Sequence, residues 1–92
     1  MTSSSSNVYC FSVHAEASPS ALPRVVEVFA LHGHVPSRCH ARLDGADGEA
    51  AELVVDLQMA GISAQDAALI AKRLGRCVTV RDVLWSEKRA AA

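Results

Sequence analysis

From Val8 to His14 the chain alternates, with Tyr9, Phe11 and Val13 on one side and Cys10, Ser12 and His14 on the other. That is the two-residue period of a half-buried strand. The period changes at Ala21. Leu22, Val25, Val26, Phe29 and Ala30 fall at i, i+3, i+4, i+7 and i+8, which predicts an amphipathic helix over Ala21–His32. Ser18 and Ser20 compete to cap it, and Pro23 decides between them. Deep in a helix, proline loses a hydrogen bond and clashes with the preceding turn; in the first turn its missing N–H costs nothing. Ser20 as N-cap keeps Pro23 in the first turn. Gly33 is expected to end the helix in the left-handed conformation.

Alternation returns from Val35 to Leu43. Val35, Ser37, Cys39, Ala41 and Leu43 share one face, and Pro36, Arg38, His40 and Arg42 the other. Proline and charge suit an edge strand. Asp44–Gly48 is a turn-rich loop. Glu52–Met59 reads as a third strand, with Leu53, Val55, Leu57 and Met59 inward and Asp56 and Gln58 outward. Ser63 opens a second helix, with Asp66 placed as a capping-box variant and Ile62 placed to staple against Ala67. Its stripe is Ala67, Ile70, Ala71 and Leu74, and Gly75 is expected to close it. A last strand over Cys77–Trp85 carries Val78 and Val80 and then loses its regularity. Residues 1–7 and 86–92 read as a disordered tail and a C-terminal tail, with a frayed helix as an option for Glu87–Ala92.

Strand, helix, strand, strand, helix, strand, each with one apolar face, predicts an α+β domain over residues 8–85. The simplest packing is a ferredoxin-like βαββαβ fold, a four-stranded antiparallel sheet with two helices on one face. The other face then carries Ser12, His14, Arg38, His40, Arg42, Asp56 and Gln58, and is wet or covered by a partner.

Composition sharpens this picture. Ninety-two residues make one small domain. Half are hydrophobic, but sixteen of these are Ala and four aromatic (Tyr9, Phe11, Phe29, Trp85), so Val, Leu and Ile must fill the core. The net charge of −1, with nine basic residues spread along the chain, argues against a nucleic-acid partner. No apolar run approaches the ~20 residues of a membrane span, and the start lacks the features of a signal peptide. A cytoplasmic protein is expected, with Cys10, Cys39 and Cys77 as reduced thiols. A metal site joining them to His14, His32, His34 or His40 would lack the usual tight ligand spacing.

No phosphate loop, nucleophile elbow or zinc-protease motif occurs. Cys10 and His14 share a strand face, but a nucleophile needs a site shaped around it, and positions this close along a face are ordinary. No catalytic residue, metal or cofactor is therefore assigned. Arg38, His40 and Arg42 read either as a solvated edge that discourages aggregation or as a contact surface for an acidic partner. With Trp85, they are the candidates for partner contact.

The segment Pro19–Gly33, Pro-Ser-Ala-Leu-Pro-Arg-Val-Val-Glu-Val-Phe-Ala-Leu-His-Gly, resembles the first helix of ACT domains, small βαββαβ modules that bind amino acids. The spacing of Leu22, Arg24, Val25, Phe29 and Gly33 is similar to that in the regulatory small subunit of acetolactate synthase. Leu74-Gly-Arg-Cys-Val-Thr-Val80 resembles that family's second helix leading into its last strand, and the single module resembles the short form of the subunit. The resemblance implies a non-catalytic regulatory subunit of a thiamine-diphosphate-dependent acetolactate synthase in branched-chain amino-acid biosynthesis, or else an independent amino-acid sensor with another client. It also implies a homodimer through the second strand and valine, leucine or isoleucine as effector. The effector residues would be Ala17, Ser18, Ser20, Ala21, Leu22, Gly33, His34 and Val35. Here Ala17 and Ser20 stand where the family often has Asn and Gly, and Val35 where it often has Asn. These departures bear on effector binding, not on the fold. A carboxylate at the helix start would use amides that lack internal partners, one of which Pro23 removes.

Overall fold

The computed structural model describes residues 7–45 and 51–89. Its elements are β1 (Asn7–Glu16), α1 (Ala21–Leu31), β2 (Arg38–Asp44), β3 (Glu52–Ala60), α2 (Ala64–Gly75) and β4 (Val80–Arg89). The strands form one antiparallel sheet in the order β2-β3-β1-β4. This is the expected ferredoxin-like βαββαβ fold. Residues 46–48 of the expected loop, 1–6 of the first tail and 90–92 of the C-terminal tail lie outside the described residues.

β1 is central because alternate positions carry large apolar groups and its backbone pairs on both sides. Tyr9, Phe11 and Val13 bury against Val55, Leu57 and Met59 of β3. Val25, Val28 and Phe29 of α1 and Ala67, Ile70 and Leu74 of α2 cover the same face. Phe11 and Phe29 meet edge to face with ring centroids 5.6 Å apart, an arrangement favoured by the aromatic quadrupole. Among the described residues, no polar or charged residue is buried.

Several expectations are corrected. The buried stripe of α1 is Ala21, Val25, Val28 and Phe29; Val26 and Ala30 face solvent, because the packed helix is rotated toward β3 and α2. β2 begins at Arg38, not Val35. The amide of His34 is used in closing α1, and Ser37 N–H reaches the Gln58 carbonyl at 2.8 Å before the ladder starts. Gly75 is the last residue of α2, whose C-cap is Arg76. The chain then needs a turn, closed by Val80 N–H on the Cys77 carbonyl at 3.0 Å, so Cys77–Thr79 precede β4 and Val78 is 97% exposed. β4 continues to Arg89, pairing Ser86 with Cys10 and Arg89 with Asn7. Residues 86–89 are therefore strand, neither tail nor helix, and Asn7 belongs to β1.

Candidate functional site

Short hydrogen bonds shape the loop between β1 and α1. Ser18 N–H donates to the Glu16 carbonyl (2.8 Å), Ala21 N–H to the Ser18 carbonyl (3.0 Å), and Arg24 N–H to the Ser20 carbonyl (3.2 Å). Ser20 stands at the N-cap, but its backbone is already helical (φ −88°, ψ −8°) and its hydroxyl caps no amide. Side-chain capping needs an extended backbone. Ser63 of α2 has one (φ −82°, ψ 163°) and accepts from Asp66 N–H at 3.1 Å. Ser20 instead offers its amide to Ser18 Oγ at 3.3 Å, and the two hydroxyls lie 3.2 Å apart. With Ala21 and Arg24 committed and Pro23 lacking an N–H, Leu22 supplies the remaining amide of the first turn. A carboxylate here would meet Leu22 N–H and two serine hydroxyls.

The other predicted half of the site closes α1. Gly33 is left-handed (φ 76°), Gly33 N–H donates to the Ala30 carbonyl and His34 N–H to the Phe29 carbonyl, each at 2.9 Å. This crossed pair is the Schellman motif. Ala17–Leu22 and Gly33–Val35 therefore lie at opposite ends of an 11-residue helix, about 16 Å apart. One chain does not bring them together.

Thr79, at one of these corners, was given no role by the sequence. The Thr79 carbonyl accepts from Glu16 N–H at 2.8 Å, which docks the turn after α2 onto the loop after β1. Thr79 Oγ1 is buried without a partner among the described residues, as is His32 Nε2 at the far end of α1. Buried polar atoms are normally paired. No local pattern announces Thr79, because the contact joins segments more than sixty residues apart.

The helix-free face of the sheet is polar, as expected. Arg38, His40 and Arg42 stand beside Gln58, Asp56 and Val54 in register. Arg42 is not a free cation: it bonds Asp44 through Nε at 3.0 Å and Asp56 through Nη1 at 3.4 Å. Trp85 is not on this face. It pairs with Phe11 and stacks on that ring at 6.3 Å and 17°, with Tyr9 6.2 Å away, so it lies on the helix side. The irregular end of the last strand hid this, since the ladder shifts register between His14 and Ala15.

On the same polar face, His14 Nδ1 lies 3.2 Å from Glu52 Oε1 and His14 Nε2 3.4 Å from Ser12 Oγ. Arg81 also reaches Glu52, at 3.8 Å. Hydroxyl, imidazole and carboxylate in line is the order of an activated nucleophile. Ser12, however, sits mid-strand, and the β1 amides around it are committed to ladders on both sides, leaving no backbone donors to hold an oxyanion. Cys10 makes no hydrogen bond to His14. Among the described residues, no three His, Cys, Asp or Glu side chains cluster to hold a metal ion, and no helix is long and apolar enough to cross a membrane.

A βαββαβ sheet with a loop–helix corner and an uncovered edge strand defines a small α+β module. The chain belongs to the ACT-like domain family, whose model matches residues 2–92. ACT domains are regulatory amino-acid-binding modules. No curated protein matches the sequence. Solved structures with this fold include the ACT domain from GTP pyrophosphokinase of Chlorobium tepidum (8% identity, TM-score 0.70, covering 86% of this chain and 96% of that one). An uncharacterized protein from Thermotoga maritima is similar over 87% of this chain and 94% of that one, with 14% identity and a TM-score of 0.68. The C-terminal domain of the MgtC protein from Mycobacterium tuberculosis is similar over 100% of this chain and 98% of that one, with 17% identity and a TM-score of 0.64. Identities this low speak to the fold alone.

Proposed function

We infer that the chain acts as a paired regulatory module, with two copies joined through β2, and that its client is the catalytic large subunit of a thiamine-diphosphate-dependent acetolactate synthase. The observation that carries the pairing is β2 itself. All seven of its residues are exposed, it ends the sheet, and neither helix covers Cys39, Ala41 and Leu43. An unpaired strand edge with an uncovered apolar side is completed by a second copy. Side-by-side pairing about a two-fold axis sets the two α1 helices antiparallel. The Ala17–Leu22 loop of one copy then faces the Gly33–Val35 corner of the other, which unites the two halves of the effector site. Valine, leucine or isoleucine fits there, its carboxylate on Leu22 N–H and the Ser18 and Ser20 hydroxyls.

The choice of client is supported by the sequence likeness of Leu22–Gly33 and Leu74–Val80. In this reading the module is non-catalytic and works by binding two states of the client unequally. Arg38 and His40 on the helix-free face are the contact residues, with Arg42 held in place by its two carboxylates. The test is acetolactate formation by the large subunit from the native host, with and without this protein. Activation that falls in Arg38→Glu without unfolding supports the reading. A second reading, an independent sensor with another client, is favoured by the likeness to the ACT domain of GTP pyrophosphokinase, and no activation of the large subunit would select it.

A further inference from the structure

The edge opposite β2 is shaped differently. Among the described residues β4 pairs only with β1, so one side of this ten-residue strand faces no other strand. Edge strands are commonly blunted by charge. β4 has charges at its ends (Arg81 and Asp82, then Glu87, Lys88 and Arg89), but Val83-Leu84-Trp85-Ser86 between them has none. Leu84 and Trp85 are 58% and 40% exposed.

Beside this stretch runs a groove of about 560 Å³ between β4 and α2. Its α2 wall is small, because Ala68, Ala71 and Gly75 face it; a Cβ built on Gly75 would meet nothing within 4 Å. The Trp85 indole forms the other wall, held by its stacking on Phe11. Lys72 and Arg76 stand on the rim, and neither makes a salt bridge among the described residues. Of the other charges lining the groove, Arg81 reaches Glu52 at 3.8 Å and Asp82 accepts from Val83 N–H at 3.0 Å, so the lining carries three cations to one carboxylate.

The geometry points to this groove as a docking site for an extended acidic segment of a partner protein, added to the sheet along β4. Main-chain hydrogen bonds to the free edge supply the alignment. One apolar side chain of the segment lies over Trp85 and the alanine wall, where an aromatic anchor contributes most. Its carboxylates meet Lys72 and Arg76, which selects acidic over basic segments. The site uses neither β2 nor the loop–helix corner, so it stands apart from the pairing and effector reading.

Trp85 is the chain's single tryptophan and reports on the groove directly. The probe is the ten-residue peptide Thr-Glu-Thr-Val-Thr-Glu-Thr-Val-Thr-Glu, blocked at both ends, which puts Val and Glu on one face of a strand (the Val–Glu peptide), and the control carries Lys in place of every Glu (the Val–Lys peptide). The Val–Glu peptide should change Trp85 emission saturably and shift amide resonances along Val80–Arg89. The Val–Lys peptide should bind at least about tenfold more weakly. Lys72→Glu combined with Arg76→Glu should weaken the Val–Glu complex by about tenfold or more. Gly75→Leu, which fills open space, should weaken it with the thermal midpoint unchanged or raised. Ala41→Pro in β2 should leave it intact. Equal binding of the two peptides, or amide shifts confined to β2 and the helix-free face, would overturn the assignment.

Discussion

Val54 lies on the helix-free face of the sheet, between His14 and Arg42 in register, yet it is only 2% exposed. Flanking side chains, long and tied to carboxylates, cover it. Val54→Asp should therefore behave as a buried substitution and cost on the order of 2–4 kcal/mol in urea unfolding, whereas the neighbouring outward position Gln58→Glu should cost under about 0.5 kcal/mol. The cysteines also differ by surroundings. Burial pushes the Cys77 thiol above its ordinary value of 9.0, opposed by the Arg24 guanidinium and assisted by the Glu27 carboxylate. The thiolate is the reactive form. Near pH 8 iodoacetamide should label exposed Cys39 well before Cys77, as read by peptide mass mapping. Because the folded state disfavours the Cys77 thiolate, this thiol's contribution to stability is complete below pH 9 and is lost as pH rises through the elevated folded value.

At the scale of the element, two serines and two glycines look alike in the sequence and do different things. Ser63 caps α2 through its hydroxyl, and Ser20 does not cap α1. Ser63→Ala should cost about 1 kcal/mol and Ser20→Ala only a few tenths, compared by thermal melts. Gly33 ends α1 at positive φ, where a Cβ is strained, so Gly33→Ala should destabilise by about 1–2 kcal/mol. Gly75 lies within α2 with open space around it, so Gly75→Ala should stabilise by about 0.4–1 kcal/mol. Opposite signs at the two glycines are the test; a loss of stability at both would contradict the α2 boundary. Periodicity located both helices, and the left-handed Gly33 was expected, but it did not say that Gly75 would stay helical. That depended on where the following strand had to begin.

Across the whole molecule, the sheet has two unlike edges. β2 is short, wholly exposed and without helix cover, and the proposed pairing rests on it. β4 is long, with a tryptophan-lined groove beside it. If pairing runs through β2, proline at its centre removes a ladder donor, and Ala41→Pro should convert a dimer to monomers in light scattering at micromolar concentration. A monomeric parent protein would defeat the pairing. Calorimetric titration with valine, leucine and isoleucine should then find binding in the parent and none in Ala41→Pro, because each complete site needs both copies. Binding that survives the proline would place the effector within one chain.

The alternation of Tyr9, Phe11 and Val13, the stripe of Ala67, Ile70, Ala71 and Leu74, and the order of the elements were enough to specify the ferredoxin-like sheet and most of its core. These are local patterns, and one buried face per element leaves few ways to pack them. The loop–helix corner was also legible, since Pro23 and Gly33 constrain their own backbone. What the sequence by itself did not determine came from contacts between distant segments. The side of the sheet taken by Trp85 followed from a register shift opposite His14 and Ala15. The burial of Val54 followed from neighbours on two other strands, and the role of Thr79 from a hydrogen bond to Glu16. The groove beside β4 was set by small residues on one element facing a large one on another. Each of these depends on which residues meet across the fold, and periodicity along the chain carries no record of that.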